Sequence, residues 1–254
     1  MQRIIVMPGG RVTTFAVLAV AFVTACSPAS ARPSPTATTS PKATISAVAS
    51  PNSALTRVPA TGLTKTVYLT FDDGPNPTWT AEILTLLEEN QVHASFFVVG
   101  KNATAWPWLI QREARDGDTV GDHSWSHPNL TALSMSAVSA QLSRDKTLIT
   151  MLTGTAPTLW RPPYEAFNPS VLAIAKGLGM KMQLWSTTTG DWQLPGTEVI
   201  VLRVMSELHN GMVVLFHDAG GNRSETVAAV AMLIPELEAA GYRLAALPAQ
   251  GMGW

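Results

Sequence analysis

From residue 64 onward, short runs of apolar and β-branched residues alternate with longer stretches in which apolar residues recur every three or four positions. The short runs predict buried strands and the longer stretches predict amphipathic helices, such as those over 79–90 and 135–152. The predicted strands are 66–70, 94–99, 118–122, 158–160, 181–185, 212–216 and 242–246. Seven strands alternating with six helices indicate repeated βα units and a parallel sheet.

The predicted fold is an α/β protein built as a distorted (β/α)7 barrel, which is a shortened form of the eight-stranded TIM-type barrel. A complete barrel of that type takes about 250 residues, whereas the strand and helix pattern begins only at residue 64. An open, doubly wound sheet is the alternative. Either arrangement brings the carboxyl ends of the strands to one functional face, where most of the unusual acids, histidines and arginines are expected.

The N-terminal part of the chain has a different pattern. Two arginines precede an apolar run over 12–25, which is too short for a stable membrane span and typical of a secretory signal. The segment Val23-Thr24-Ala25-Cys26 resembles a bacterial lipobox. We therefore predict a lipoprotein signal peptide over 1–25 and a lipidated Cys26 that anchors an extracytoplasmic protein to the bacterial membrane. An ordinary signal peptide with an incidental cysteine is the alternative.

Residues 27–60 are dominated by Pro, Ser, Thr and Ala and contain no aromatic residue. Such a segment cannot bury a core, so 26–63 is predicted to be a disordered tether and 64–254 the folded domain. The formal net charge of −1 gives no electrostatic basis for binding nucleic acid. A single cysteine excludes an internal disulfide framework.

The strongest chemical signals are two histidines and two adjacent acids. His123 and His127 are four positions apart, which is a weak metal signal alone. Asp72 and Asp73 follow the first predicted strand and precede Gly74-Pro75. Because adjacent carboxylates at a strand end point in different directions, one can bind a metal while the other stays free as a base. Two imidazoles and one carboxylate suit zinc or another first-row metal, with open positions for water and substrate.

Five ordered motifs resemble those of the polysaccharide deacetylase family, the NodB-homology domain of carbohydrate esterase family 4. The motifs are Thr70-Phe71-Asp72-Asp73-Gly74-Pro75, His123-Ser124-Trp125-Ser126-His127, Arg161-Pro162-Pro163-Tyr164, Asp191-Trp192 and Leu215-Phe216-His217. The resemblance implies a NodB-like distorted barrel over 64–254. It also implies an enzyme that removes acetyl groups from N-acetylated or O-acetylated sugars with a divalent metal. The ligand types favour zinc for that metal, with cobalt or another first-row ion as alternatives.

The resemblance implies a role for each matching position in the first three motifs. The implied metal ligands are Asp73, His123 and His127. Asp72 would be the general base, and a carboxylate beside a bound metal suits that task. Arg161 would hold Asp72 in place, and its permanent charge would keep the carboxylate ionised.

The remaining implied roles concern the leaving group and the acetyl group. His217 would be the general acid, and Asp191 would orient its imidazole and raise its proton affinity. The backbone N–H of Tyr164 would stabilise the oxyanion. Trp192 and Leu215 would form the pocket for the acetyl methyl group.

Two positions depart from the family pattern. Thr188 stands where the family often has an acid, and Glu165 stands where it commonly has glycine, which puts substrate contacts in doubt more than chemistry. His93 and His209 belong to no motif and are predicted to be structural.

The predicted function is N-deacetylation of a cell-envelope glycan, either peptidoglycan or a chitin-like oligosaccharide. An O-acetyl esterase acting on acetylated xylan and a sugar-binding lipoprotein without turnover are the alternatives. The expected partners are an acetylated polysaccharide or oligosaccharide and the membrane, and the protein is expected to be a monomer.

Overall fold

The computed structural model describes residues 65–252. The predicted signal peptide, Cys26 and the predicted tether lie outside the described residues. Within 65–252, no helix combines the length and the apolar character needed to cross a bilayer.

Residues 65–252 contain eight strands and seven α-helices. The strands are β1 (Lys65–Asp72), β2 (Ser95–Val98), β3 (Thr119–Asp122), β4 (Leu159–Trp160), β5 (Lys181–Met182), β6 (Thr187–Thr188), β7 (Met212–His217) and β8 (Tyr242–Leu244). The helices are α1 (Trp79–Asn90), α2 (Gly100–Ala105), α3 (Pro107–Arg115), α4 (Met135–Thr153), α5 (Pro169–Gly177), α6 (Thr197–Ser206) and α7 (Ser224–Ala239). The predicted helix over 79–90 is confirmed, and α4 ends one residue beyond its predicted end.

The strands form one parallel sheet in the order β5-β4-β3-β2-β1-β7-β6, and β8 pairs with the first three residues of β1. The sheet curls strongly. Arg161, directly after β4, donates a hydrogen bond to Asp72 at the end of β1, although β3 and β2 lie between these strands in the sheet. The parallel sheet therefore forms part of a barrel wall. This confirms the prediction of a distorted (β/α) barrel rather than an open, doubly wound sheet.

Successive residues of β1 face opposite sides of the sheet. Val67, Leu69 and Phe71 are fully buried in the large apolar layer between the sheet and the helices, which includes residues of α1 and α7. Tyr68 packs inside the curl with a smaller apolar cluster formed by Phe97, Leu159, Val213 and Leu247. By alternation, Thr70 and Asp72 face the same inner side, so the polar end of β1 points into the barrel.

The prediction of a single strand over 181–185 is wrong. β5 ends at Met182 and pairs with β4, whereas β6 begins at Thr187 and pairs with β7. Residues 183–186 therefore cross from one edge of the curled sheet to the other, and in the described chain no helix lies between these two strands. We call residues 183–186 the seam. A straight strand cannot follow this path, because its two halves pair with opposite edges.

The stacked aromatic rings under the sheet give a test of the core. Phe71 lies with its ring centroid 5.2 Å from that of Phe96 and 5.6 Å from that of Phe216. We expect Phe71→Ala to lower the free energy of unfolding by about 3–5 kcal/mol, because it leaves a cavity in a closely packed layer. Met151→Ala, at a side chain that is 77% exposed, should change it by less than about 0.5 kcal/mol. Urea unfolding of both variants measures the difference, and equal values would contradict this packing.

Candidate metal centre and active site

Two of the three candidate metal ligands, Asp73 and His127, have unusual backbone conformations, and so does Ser124 in the loop between the two histidines. Asp73, Ser124 and His127 have φ angles of 76°, 68° and 57°, in the left-handed region that residues other than glycine rarely adopt. A Cβ atom at Gly74 would overlap the Asp218 carboxylate, so only glycine fits directly after Asp73. Strained conformations of this kind cluster at functional sites, where surrounding contacts hold them.

The three predicted ligands come together at the carboxyl ends of β1 and β3. Asp73 Oδ1 lies 3.1 Å from His127 Nε2 and 3.6 Å from His123 Nε2, and the three ligand atoms all lie within 4.8 Å of one another. Ligands at bond lengths of about 2.1 Å around a tetrahedral ion are roughly 3.4 Å apart. Asp73 Oδ1 is buried and makes no hydrogen bond within the described chain. The three residues therefore fit one divalent cation.

His123 is held in the form that a metal ligand requires. Its Nδ1 lies 2.7 Å from the backbone carbonyl oxygen of Arg161, and an N–H donated there leaves the Nε2 lone pair facing Asp73. Burial lowers the pKa of His123 to about 3, which keeps the imidazole neutral. A neutral imidazole with a fixed tautomer is ready to bind a cation.

Helix α4 holds the loop that carries both histidines. The Asp145 carboxylate accepts a hydrogen bond of 3.2 Å from the His123 N–H. Gln141, one turn earlier, accepts two hydrogen bonds from the loop. Its backbone carbonyl accepts one of 3.1 Å from the Trp125 N–H, and its side-chain oxygen accepts one of 2.9 Å from the Ser126 N–H. Sequence reasoning missed Asp145 and Gln141. The only available signal was two polar residues on the inner side of an amphipathic helix.

Arg161 is fully buried inside the curl, and acceptors surround its guanidinium. Nη1 donates 2.7 Å to Asp72 Oδ1 and 2.9 Å to Thr70 Oγ1. Nε donates 2.9 Å to the carbonyl of Gln183, and Nη2 donates 3.2 Å to the carbonyl of Leu184. The predicted pairing of Arg161 with Asp72 is present, whereas the contacts with Thr70 and the seam carbonyls were not predicted.

The second oxygen of Asp72 faces the candidate ligands. Asp72 Oδ2 lies 3.8 Å from His123 Nε2, while Oδ1 accepts from Arg161. Burial raises the pKa of Asp72 above its ordinary value, although the adjacent Arg161 charge opposes that shift. Asp72 is therefore oriented with one oxygen held and one oxygen available beside the metal position.

His217 forms the other acid–base group. Its Nδ1 donates 2.8 Å to Asp191 Oδ1, and its backbone N–H donates 2.8 Å to Asp191 Oδ2. Thr226, which sequence reasoning missed, donates 2.8 Å to the same Oδ2. Burial favours the neutral imidazole, but the hydrogen bond and charge of Asp191 outweigh it and raise the pKa of His217. His217 lies directly opposite Asp72 in the pairing of β7 with β1.

Aromatic side chains lie beside both groups. Tyr164 is 69% exposed, and its ring meets His127 edge-on at 4.6 Å between centroids. The Trp192 ring, 46% exposed, lies 5.2 Å from His217. Leu215 is buried two residues before His217 on β7. All three positions predicted around the acetyl group therefore lie near the acid–base residues or the metal ligands.

The remaining predicted positions lie at the surface. Glu165 is exposed, follows Tyr164 and has a φ of 55°, and Thr188 is exposed on β6. His93 lies 4.0 Å from Asp118, and His209 bonds to a backbone carbonyl two residues away. Neither histidine joins the candidate metal cluster.

Sequence comparison gives the family of this site. The profile of the polysaccharide deacetylase family matches residues 60–183. The chain is 36% identical over 181 residues to the peptidoglycan-N-acetylglucosamine deacetylase of Bacillus cereus, covering 70% of this chain and 84% of that protein. The chain belongs to the polysaccharide deacetylase family. The predicted family is confirmed, and this polysaccharide deacetylase is a hydrolase of amide bonds in polysaccharides.

Two further relatives have the same class of activity in their names. The chitooligosaccharide deacetylase of Sinorhizobium fredii is 36% identical over 206 residues, covering 76% of this chain and 96% of that protein. The solved structure of the peptidoglycan deacetylase PdaC from Bacillus subtilis matches this polysaccharide deacetylase with a TM-score of 0.67 and 36% identity. That match covers 72% of this chain and 87% of the PdaC structure.

Metal binding can be tested at a histidine inside the cluster and at one outside it. We expect His127→Ala to weaken the binding of one Zn²⁺ per chain, measured by titration calorimetry. The loss should exceed the roughly 10–100-fold typical of removing an outer partner of a ligand, because a direct ligand is removed. His93→Ala should leave the affinity unchanged. Equal affinities for the two variants would place the metal elsewhere.

Proposed function

We propose that this polysaccharide deacetylase removes N-acetyl groups from peptidoglycan outside the cell. The observation that carries the proposal is the pairing of two acid–base groups beside one candidate metal site. Arg161 fixes Asp72 and Asp191 fixes His217, each through a bond of 2.7–2.8 Å. The names of the relatives from Bacillus cereus and Bacillus subtilis support peptidoglycan as the substrate, and the relative from Sinorhizobium fredii supports a chitin-like oligosaccharide as the next choice.

Asp73, His123 and His127 would hold one divalent ion, and their two imidazoles and one carboxylate favour zinc, with cobalt or another first-row ion as substitutes. When bound, the ion supplies a Lewis acid that polarises the acetyl carbonyl and activates water. Asp72 would accept the proton of the attacking water with Oδ2, because Arg161 occupies Oδ1. The guanidinium also favours the ionised form that a base needs.

His217 would complete the reaction on the leaving group. As the amide C–N bond breaks, the His217 imidazolium donates its proton to the nitrogen, which leaves a free amine on the sugar and acetic acid. The acetic acid ionises to acetate, and the proton held by Asp72 is released to solvent while His217 takes up a proton again. Asp191 holds the ring through Nδ1, so Nε2 is the nitrogen that would donate. The N–H of Tyr164 would donate to the oxyanion, while Trp192 and Leu215 would surround the acetyl methyl group.

The location is proposed from the N-terminal sequence. A lipidated Cys26 would anchor the protein after removal of the signal peptide 1–25, and 26–63 would act as the tether of the catalytic domain 64–254. Residues 27–60 of this tether would average roughly 30 Å end to end as a flexible coil and would reach about 100 Å when extended as polyproline II. The catalytic domain would thus reach the cell wall from the membrane. A monomer would suffice for this site, because the candidate ligands and both acid–base pairs come together within one chain.

Acetate release tests the function. The metal-loaded protein is incubated with peptidoglycan, chito-oligosaccharides or acetylated xylan, and a chelator-treated sample is the control. We expect metal-dependent acetate release from peptidoglycan. Release from acetylated xylan alone would favour an O-acetyl esterase. No metal-dependent release from any of the three would refute the enzymatic function and leave the sugar-binding alternative.

The assignment of Asp72 as the general base can be tested by a single substitution. We expect Asp72→Asn to bind Zn²⁺ with nearly unchanged affinity but to lower kcat by about 10²–10⁴-fold, because the amide cannot accept the proton of water. Asp116→Asn, at the end of α3, is the matched control and should keep full activity. A thermal melt checks the fold of each variant, since Arg161 loses its charged partner. Wild-type activity of Asp72→Asn would refute the assignment.

The acid assignment predicts a change in pH dependence. The pKa of His217 is raised by Asp191, so the protonated acid is present below that pKa and is lost as the pH rises through it. Asp191→Asn removes the charge that raises the pKa. We therefore expect the alkaline limb of the kcat profile to move to lower pH in this variant. An alkaline limb at the wild-type position would show that His217 is not the group that titrates.

A further inference from the structure

The seam supplies the acceptors that hold Arg161 on the side away from Asp72. The carbonyls of Gln183 and Leu184 accept hydrogen bonds from Nε at 2.9 Å and from Nη2 at 3.2 Å. In the described chain these two residues belong to no strand, so no neighbouring strand fixes their carbonyls along a ladder. The orientation of the guanidinium therefore depends on what holds the seam itself.

The side chain of Gln183 holds the seam. It is fully buried, its Nε2 donates 2.9 Å to the Leu184 carbonyl, and its Oε1 accepts 2.7 Å from the Met252 N–H. The Leu184 carbonyl thus accepts hydrogen bonds from both the Gln183 amide and the Arg161 guanidinium. The backbone N–H of Gln183 donates 2.9 Å to the carbonyl of Trp160, directly before Arg161. Gln183 therefore links the seam both to β4 and to residues 245–252, which follow β8 and which we call the C-terminal segment.

The C-terminal segment is itself fixed under the barrel. The Leu247 N–H donates 2.8 Å to Ser95 Oγ, and the Leu247 carbonyl accepts 2.7 Å from Thr119 Oγ1. Leu247 and Met252 also pack in the apolar cluster inside the curl. These contacts fix the segment whose Met252 N–H donates to Gln183. A series of hydrogen bonds therefore runs from the C-terminal segment through Gln183, the Leu184 carbonyl and Arg161 to Asp72.

We propose that Gln183 is a positioning residue for deacetylation: it fixes the seam carbonyls that orient Arg161, and Arg161 orients Asp72. The proposal rests on the proposed role of Asp72 as the base. Gln183 is fully buried, so its effect on the reaction passes through Arg161. A displacement of a reacting group by about 1 Å can lower a rate by up to about 10²-fold. Loss of positioning therefore lowers kcat and leaves KM and metal affinity in place.

Gln183→Met is the first test, because methionine fills a similar volume but forms neither side-chain hydrogen bond. We expect kcat for acetate release to fall about tenfold, with KM and Zn²⁺ affinity within about twofold of wild type. Thr66→Val is the matched control, since it also removes one hydrogen bond of a buried side chain, the bond that Thr66 accepts from Arg243 at the start of β1, away from the seam and Arg161. Its kcat should stay within about twofold of wild type.

Gln183→Glu is the second test and preserves the shape of the side chain. It keeps an acceptor for the Met252 N–H, removes the donor to Leu184 and places a carboxylate near Arg161 that competes with Asp72. We expect a larger fall in kcat than in Gln183→Met. Wild-type kcat in either folded Gln183 variant, or an equal loss in Thr66→Val, would overturn the proposal.

Crystal structures of the two Gln183 variants separate this proposal from the proposed function. We expect the Arg161 Nη1 to Asp72 Oδ1 distance to lengthen from 2.7 Å or the guanidinium to rotate. If the wild-type protein itself releases no acetate, the proposed function fails, and this geometry alone decides the positioning role. An unchanged guanidinium in both variants would show that Gln183 does not position it.

Discussion

A buried ion pair between Arg161 and Asp72 crosses the inside of the curled sheet, and the rest of the site depends on it. Removing a guanidinium from water costs several kcal/mol unless acceptors replace the lost hydration. Here the acceptors are a carboxylate, a hydroxyl and two backbone carbonyls. They belong to β1 and to the seam, so they surround Arg161 only when the sheet curls. The position of the base therefore depends on the curvature of the sheet, because the same curvature brings the acceptors of Arg161 together.

Burial lowers the pKa of both histidines beside that pair, but their different hydrogen-bond partners give the two side chains net pKa shifts in opposite directions. His123 donates to a neutral carbonyl, and burial lowers its pKa to about 3. His217 donates to the Asp191 carboxylate, which outweighs burial and raises its pKa. The partner at Nδ1 thus separates a neutral ligand from a proton donor. The same side chain performs two kinds of chemistry within one site.

The sequence predicted the residues that end strands and two of their supports, Arg161 and Asp191, but it missed the residues that hold the seam and the histidine loop. Asp72, His123 and His217 were identified because parallel strands bring their carboxyl ends together and because the motifs are ordered. Gln183 and Asp145 act through bonds to residues 22 positions away along the chain, and no local pattern marks such partners. β5 and β6 have two residues each, too few to show a period. The lipid anchor and tether stay predictions.

The candidate ligands come from two separately supported parts of the molecule. Asp73 follows β1, whereas His123 and His127 belong to the loop that α4 holds. An ion shared by these residues would cross-link chain segments that are far apart in sequence, and closing such a loop restricts the unfolded chain much as a disulfide does. This chain has one cysteine and cannot form an internal disulfide. Metal loading should therefore contribute to its stability as well as to its chemistry.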